Sequence, residues 1–328
     1  MDLKEMRKSL SRFEESAAQI FILVATLALY LLSGNSIFGV LVAIEFVAFV
    51  ALEIYQGVQS HGVSHEIVDT IKSLGIAVLI WLSFSVILGT AVPVSAIVSC
   101  SMLPNLQRGD LTIIKGSGAG TLIAPQIEVS DEQLAIIANP KTLVISPYGN
   151  ETVMGSMYSN CMAYAYTDPL CRNFLQEPEK FIEKRGEMEF IYKQCNRKEM
   201  GTGKAQMTPC IYAILYKGKE YAMNLSNSII VYEPAKGDLF SYTGDIVHRV
   251  QMKIRAGNST YLLTKGDNNN VFDVQFYSFA NQLANTPVRE QKIKGAHIFS
   301  IPYVGYFKLF LSGYTEEGPY CDSNLAGY

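Results

Sequence analysis

Three long apolar runs occupy most of the first 95 residues and limit the possible folds of this chain more than any other feature. These runs cover 17–34, 36–57 and 74–94. Each is close in length to the roughly 20 residues that a helix needs to cross the hydrocarbon core of a bilayer. The first run carries no charge, whereas the second contains Glu45 and Glu53. The pattern predicts three transmembrane helices within 17–95.

Basic residues before the first run indicate how these segments are oriented. Lys4, Arg7, Lys8 and Arg12 precede it, and the connection that follows it contains no lysine or arginine. Because cytoplasmic flanks are enriched in these residues, 1–16 is expected in the cytoplasm. Three crossings then place the rest of the chain on the extracytoplasmic side. We expect an integral protein of the cell membrane, or of the endoplasmic reticulum membrane in a eukaryote.

Two features of the apolar region allow both a functional and a structural interpretation. Glu45 lies near the centre of the second run, where an acid is costly. It could be a coupling or partner site, but a packing role is preferred. His61 and His65 are four residues apart and could bind a metal from one helix face. Because the sequence offers no evident third ligand, we expect a solvated cytoplasmic loop there instead.

The six cysteines predict disulfides rather than a zinc site, because none forms a CxxC pair. The four that cluster are Cys161, Cys171, Cys195 and Cys210. They are expected to pair with one another in one of three ways, which fits an oxidising space outside the cytoplasm. Cys100 is expected to stay reduced. The net charge of −3 provides no general basic field, so nucleic acid is not an expected partner.

From residue 96 onward, short runs of β-branched and aromatic residues alternate with turn residues. "DLTIIKG", "NSIIVYEP" and "STYLLTKG" are examples. Runs of this kind, bounded by Gly, Pro, Asn and Asp, are typical of strands. We therefore predict a mainly-β outer domain. A helical portion is expected near 175–195, within "EPEKFIEKRGEMEFIYKQC".

Three motifs in this outer region supply the residue types of a serine hydrolase. "SCSMLPNLQRGD" contains Ser101, "GDIVHRV" contains His248, and "TKGDNNNVFD" contains Asp267 and Asp273. A serine hydroxyl becomes a good nucleophile only when a positioned base takes its proton. A histidine base in turn needs a carboxylate to fix its tautomer. Each motif alone is a weak signal, because a histidine in a strand is more often structural.

Taken in order, these motifs resemble the conserved boxes of type I signal peptidases, in particular the archaeal and endoplasmic-reticulum branch. The resemblance covers about 99–115 and 230–312. It implies that Ser101 is the nucleophile and His248 the general base. It also implies that Asp273 orients the histidine. No metal or cofactor is implied.

The remaining residues near these motifs receive supporting roles from the resemblance. Asp267 is expected to be a second required carboxylate with a structural role. The Ser101 amide is expected to bind the oxyanion with help from Ser99. Lys265 is interpreted as part of the turn rather than as a base. Cys100 departs from the family pattern, which usually has glycine between the two serines.

The sequence thus predicts N-terminal transmembrane helices followed by a mainly-β, signal-peptidase-like domain with a large insertion. The predicted parts are a cytoplasmic N-terminus (1–16), three transmembrane helices (17–95), a catalytic β domain (96–115 and 230–300), an inserted disulfide-stapled subdomain (116–229), an interfacial apolar segment (296–314) and a tail (315–328).

The resemblance implies a membrane-bound serine endopeptidase that removes signal peptides from exported preproteins. Its expected partners are signal-peptide-bearing preproteins, the lipid bilayer and the protein translocation channel. Two alternatives stay open. One is a non-catalytic membrane receptor or assembly factor on the same fold. The other is a processing peptidase with a narrow substrate range, such as surface or pilin-like proteins.

Overall fold

The structure of the chain is a computed structural model. It describes residues 17–30, 36–164, 168–314, 318 and 320–326. The chain forms two compact units, an N-terminal helical unit and a larger, mainly-β unit that begins at Ser85. Predictions that concern 1–16, including the cytoplasmic N-terminus, lie outside the described residues.

The N-terminal apolar runs form helices. These are α1 (Ala17–Tyr30), α2 (Ser36–His61) and α3 (Val63–Leu88). Among the described residues, α3 is the one helix long and apolar enough to cross a membrane, whereas α1 is apolar but shorter. The membrane prediction is therefore supported for one span. Within this unit, the Thr26 hydroxyl donates a hydrogen bond to Glu45 at 3.0 Å, which gives the acid a polar neighbour.

The end of the third run and the loop before it differ from the prediction. Helix α3 starts before the predicted run and ends at Leu88, because Gly89 adopts a left-handed conformation (φ +63°) that terminates helices. The predicted loop around His61 and His65 is wrong, since α2 ends at His61 and α3 contains His65. His65 Nδ1 lies 3.1 Å from Asp69 Oδ2, one helical turn later.

The larger unit is built mainly from strands. The strands are β1 (Val94–Ala96), β2 (Leu111–Lys115), β3 (Gln126–Val129), β4 (Lys141–Ser146), β5 (Gly149–Met154), β6 (Ile182–Arg185), β7 (Met188–Glu199), β8 (Ala205–Tyr216), β9 (Lys219–Ala222), β10 (Ile229–Tyr232), β11 (Ile246–Ala256), β12 (Ser259–Lys265), β13 (Tyr277–Ser278), β14 (Leu283–Ala284), β15 (Val288–Arg289), β16 (Ile293–Ile301) and β17 (Ser323–Ala326). The further helices are α4 (Asp131–Ala138), α5 (Met157–Tyr164), α6 (Pro169–Gln176) and α7 (Tyr306–Leu311). The mainly-β prediction is confirmed.

Most of these strands form two sheets. The first sheet has the order β1-β2-β16-β10-β11-β12-β15, with β3 pairing in parallel with β11. The second has the order β5-β4-β6-β7-β8-β9, with β17 pairing with β7. Strands β13 and β14 form a separate small pair. The central strand β11 pairs antiparallel with both β10 and β12, which brings distant parts of the sequence side by side.

The helical expectation near 175–195 is wrong, because α6 ends at Gln176 and most of that range forms β6 and β7. Along β7, the side chains of Met188, Phe190 and Tyr192 are buried at every second position. This period of two places one face of the strand against the core. Glu189, Ile191 and Lys193 alternate with them and occupy the other face, which is only partly buried.

The two sheets share one hydrophobic core. This cluster contains Met252 and Leu263 from the first sheet and Phe190 and Ile211 from the second. Strand β3, which lies in the predicted insertion 116–229, pairs with β11 of the first sheet. The predicted insertion therefore contributes to both sheets, and it does not separate as a compact unit of its own.

All six cysteines form disulfides, in the pairs Cys161–Cys171, Cys195–Cys210 and Cys100–Cys321. Pairing among the four clustered cysteines follows the prediction. The expectation that Cys100 stays reduced is wrong, because part of the predicted tail folds back onto the second sheet. Its strand β17 pairs with β7 and brings Cys321 beside Cys100.

The predicted interfacial segment 296–314 contains the end of β16 and the helix α7. Part of it is therefore a strand of the first sheet. Several of its apolar side chains are nevertheless exposed, including Ile298, Phe299, Val304 and Phe307.

Candidate active site

A short closed loop, 97–110, follows β1 and carries Ser99 and Ser101, and it is called the serine loop here. The Ile97 amide donates to the Asp110 carbonyl, and the Gly109 amide donates to the Ile97 carbonyl, both at 2.9 Å. These bonds close the loop at its base. The Met102 side chain is fully buried and packs against Ile97. Because the buried Met102 anchors the residue that precedes it, Ser101 is fixed at the rim, where it stays partly exposed.

Ser101, His248 and Asp273 lie in one chain of hydrogen-bonding contacts. The Ser101 Oγ lies 2.9 Å from His248 Nε2, and His248 Nδ1 lies 2.7 Å from Asp273 Oδ2. His248 comes from strand β11, and Asp273 from a 3-10 turn that follows β12. Both of these side chains are buried. With Nδ1 facing the carboxylate, the proton of a neutral imidazole stays on Nδ1 and leaves Nε2 free to accept from the serine.

The Asp273 carboxylate is held in place by two further donors. The Tyr232 hydroxyl and the Thr264 hydroxyl donate to the same oxygen, Oδ2, at 3.0 and 2.6 Å. Burial, and secondly the nearby carboxylate, raise the pKa of Tyr232 well above its ordinary value, so this hydroxyl keeps its proton. The Asn285 amide also donates to the backbone carbonyl of Asp273 at 3.0 Å. These bonds orient the carboxylate toward His248.

Asp267 is held by a different set of contacts. Its two carboxylate oxygens accept from Arg249 Nε and Nη2 at 2.8 and 2.6 Å. Asn105, from the serine loop, donates to Asp267 Oδ2 at 2.8 Å. Because successive side chains of a strand point to opposite faces, His248 and Arg249 reach different carboxylates. The contacts of Asp267 thus tie the turn after β12 to the serine loop.

The turn after β12 lies very close to Ser101. A Cβ atom at Gly266 would lie 2.6 Å from the Ser101 carbonyl oxygen, so any larger residue would push the loop away. The neighbouring Lys265 is fully buried, and its Nζ donates to the Gly266 carbonyl at 3.2 Å. Burial lowers the pKa of Lys265 to about 7.

Ser99 lies next to the nucleophile. Its hydroxyl is 3.1 Å from the Ser101 hydroxyl, on the exposed side of the loop. A hydroxyl in this position can donate to charge that develops beside Ser101. Among the described residues, no group of three or more His, Cys, Asp or Glu side chains is placed to hold a metal ion.

Sequence reasoning missed several residues that contact the predicted site, among them Asn105, Tyr232, Arg249 and Thr264. Arg249 follows His248 directly, and a cation next to the predicted base within an apparent strand was a usable signal. Tyr232 and Thr264 lie on β10 and β12, the two neighbours of the histidine strand. Only the pairing of these strands brings their hydroxyls to Asp273, so no local pattern identifies them.

The geometry of these contacts matches that of a serine hydrolase with a histidine base and an aspartate partner. No family model matches the chain. The chain is similar to the signal peptidase complex catalytic subunit SEC11 of Yarrowia lipolytica, with 43% identity over 85 residues, which are 26% of this chain and 45% of the relative. It is also similar to the SEC11 subunit of Verticillium alfalfae, with 37% identity over 99 residues, 30% of this chain and 50% of the relative.

A similar match comes from an archaeon. The uncharacterized protein MJ0260 of Methanocaldococcus jannaschii is 36% identical over 74 residues, 23% of this chain and 34% of the relative. The chain spans about half the length of the SEC11 relatives that it matches. Over this part, the resemblance to the endoplasmic-reticulum type of signal peptidase is confirmed.

Proposed function

We propose that this protein is a membrane-bound serine endopeptidase that removes signal peptides from exported preproteins. The observation that carries the proposal is the continuous contact chain from Asp273 through His248 to Ser101. The similarity to SEC11 catalytic subunits supports the substrate class.

The geometry supports a two-step mechanism. His248 Nε2 takes the proton of Ser101 Oγ as this oxygen attacks the scissile carbonyl, and Asp273 stabilises the imidazolium that forms. The Ser101 amide and the Ser99 hydroxyl donate to the oxyanion. His248 then gives the proton to the leaving amine, which releases the mature protein. Water, deprotonated by His248, attacks the acyl-serine ester and regenerates Ser101.

The proposal places the larger unit on the extracytoplasmic side of the membrane, next to lipid. The apolar helix α3 directly precedes this unit in the chain. The three disulfides fit an oxidising space. The exposed apolar side chains of 296–314 fit contact with the bilayer surface, where apolar groups leave water. Access to preproteins emerging from the translocation channel would follow from this position.

The alternative of a non-catalytic receptor or assembly factor is less well supported. A receptor gains nothing from a buried acid and histidine aligned on a partly exposed serine. A narrow-substrate peptidase would use the same chemistry, and its substrate range is the point on which it differs.

The direct test is cleavage by the full-length protein in lipid vesicles. A signal-peptide-bearing preprotein is added, and the new N-terminus of the product is sequenced. We expect one cut after the signal peptide, and no cut with Ser101→Ala. Cleavage that persists in Ser101→Ala, or an intact wild-type protein that leaves the precursor uncut, would contradict the proposal.

A further inference from the structure

A buried arginine of the second sheet contacts the turn that lies under the nucleophile. Arg197, on β7, donates from Nη1 to the Asn268 side-chain oxygen at 3.0 Å and from Nη2 to the Asn268 carbonyl at 2.9 Å. Its Nη2 also donates to Asn270 Oδ1 at 2.8 Å. A guanidinium is a rigid planar fork, so these bonds fix the turn in both position and orientation. The turn belongs to the segment between Asp267 and Asp273.

Asn268 passes this constraint to the serine loop. Its backbone amide donates to the Ser101 carbonyl at 2.7 Å, and its side-chain amide donates to the Cys100 carbonyl at 3.1 Å. Its side chain is fully buried. The nucleophile and the residue before it are thus held from behind, while the Ser101 hydroxyl points to His248.

The C-terminal segment holds the same loop by a covalent bond. Strand β17 pairs with β7, and the Leu325 amide donates to Asn268 Oδ1 at 2.8 Å. Cys321, just before this strand, is bonded to Cys100. The Arg197 guanidinium stacks over the Tyr320 ring, 4.2 Å from its centroid. The strand, the arginine and the disulfide therefore meet at one place behind Ser101.

We propose that Arg197 and the Cys100–Cys321 disulfide, together called the brace, position the nucleophile from the second sheet and the C-terminal segment. This proposal rests on the proposed function and assigns a role to two parts of the chain outside the motifs, the strand of Arg197 and the segment of Cys321. Both members of the brace are positioning residues, since they act through the backbone of 100–101. Displacement of that backbone moves Ser101 Oγ away from His248 Nε2, and a shift of about 1 Å can cost on the order of 10²-fold in rate.

The test compares each brace variant with a matched control. Arg197→Met is compared with Arg185→Met, because Arg185 is also a buried arginine of the second sheet. Its side chain donates to Thr142, Ile137 and Gly155, none of which belongs to the turn after β12 or to the serine loop. Cys321→Ala is compared with Cys161→Ala/Cys171→Ala, which removes a disulfide of the same unit that lies within α5 and α6.

Steady-state cleavage by the full-length proteins is measured well below their unfolding temperatures, so that kcat and KM are separated. We expect Arg197→Met and Cys321→Ala each to lower kcat by about 10-fold or more with little change in KM. The control variants should unfold at lower temperature but keep the wild-type kcat. The double variant Arg197→Met/Cys321→Ala should lose less than the product of the two single losses, because both act on one turn.

Two outcomes would overturn the brace. One is wild-type kcat in Cys321→Ala, which remains informative even if Arg197→Met does not fold. The other is an equal loss of kcat in the controls. Either result, obtained while wild-type cleavage still depends on Ser101, rejects the brace and leaves the proposed function standing. Absence of Ser101-dependent cleavage in the wild type rejects the proposed function itself.

Discussion

The two sheets of the larger unit both bury charged side chains, and they use them differently. In the first sheet, the contacts of Asp273 continue through His248 to a serine at the surface. In the second, Glu183 accepts from the Tyr192 hydroxyl at 2.7 Å, from the Met157 amide at 2.6 Å and from the Gln275 side-chain amide at 2.5 Å, and all three donors are buried. The contacts of Glu183 end inside the protein, whereas those of Asp273 reach a group that a substrate can approach.

The comparison shows that a perturbed pKa does not identify a site by itself. Burial raises the pKa of Glu183 and lowers that of Arg185 to about 10, although neither reaches an exposed reactive group. The first sheet is distinguished by successive hydrogen-bonding contacts that lead from the buried Asp273 through His248 to the accessible hydroxyl of Ser101. We therefore expect the same chemical change to abolish activity in one sheet and to affect mainly stability in the other.

The largest expected effect comes from Asp273→Asn. This change removes the charge that stabilises the imidazolium and favours the wrong histidine tautomer, so kcat should fall by about 10³- to 10⁴-fold. The matched control is Glu183→Gln, the same carboxylate-to-amide change in the second sheet. It should lose far less kcat, because Glu183 contacts the turn of Asp273 only indirectly, through Gln275. Cleavage assays of the folded variants check this prediction. Equal losses in both variants would remove the distinction between the two sheets.

The next effect is a loss of stability in Asp267→Asn. This carboxylate is paired with the buried Arg249, and leaving a buried charge unpaired costs about 3–5 kcal/mol. Denaturation of the full chain in detergent measures the change. The double variant Asp267→Asn/Arg249→Met should be less destabilised than the single variant, because the unpaired cation is gone. A stable Asp267→Asn protein without activity would instead place this carboxylate in the chemistry.

A smaller loss of stability is expected for Glu183→Gln. Its amide nitrogen cannot accept hydrogen bonds from the donors around it, and one unsatisfied buried group costs about 1–3 kcal/mol. Denaturation under the same conditions tests this. A Glu183→Gln protein as stable as the wild type would show that the contacts of this acid contribute little.

A further prediction concerns the pH dependence of stability at Lys265. Its pKa is lowered to about 7 in the folded protein from 10.5. Between these values the unfolded chain binds more protons, so the folded state gains stability as pH rises from about 7 toward 10. Relative to Lys265→Met, the wild type should therefore become more stable over this range. A constant difference between the two proteins would show that the folded lysine titrates normally.

The sequence predicted the site more accurately than the architecture around it. Ser101, His248 and Asp273 each lie in a short motif that can be read locally, and the structure brings them together. The contacts behind them depend on strands far apart in the chain, as when β17 reaches β7 and Cys321 reaches Cys100. The prediction of a helix near 175–195 is wrong because the other face of β7 carries Glu189 and Lys193 but also the apolar Ile191, so the sequence shows no clean alternation.

The assignment of His248 as the base is tested most directly by single-turnover cleavage of one precursor. The wild type, His248→Ala and Lys265→Met are compared. His248 is the group in contact with Ser101 Oγ, so we predict that His248→Ala lowers the rate by about 10⁴-fold or more. Lys265→Met should cleave at a rate close to that of the wild type. If His248→Ala cleaves normally and Lys265→Met is inactive, the base is the lysine, and the role proposed for His248 is contradicted.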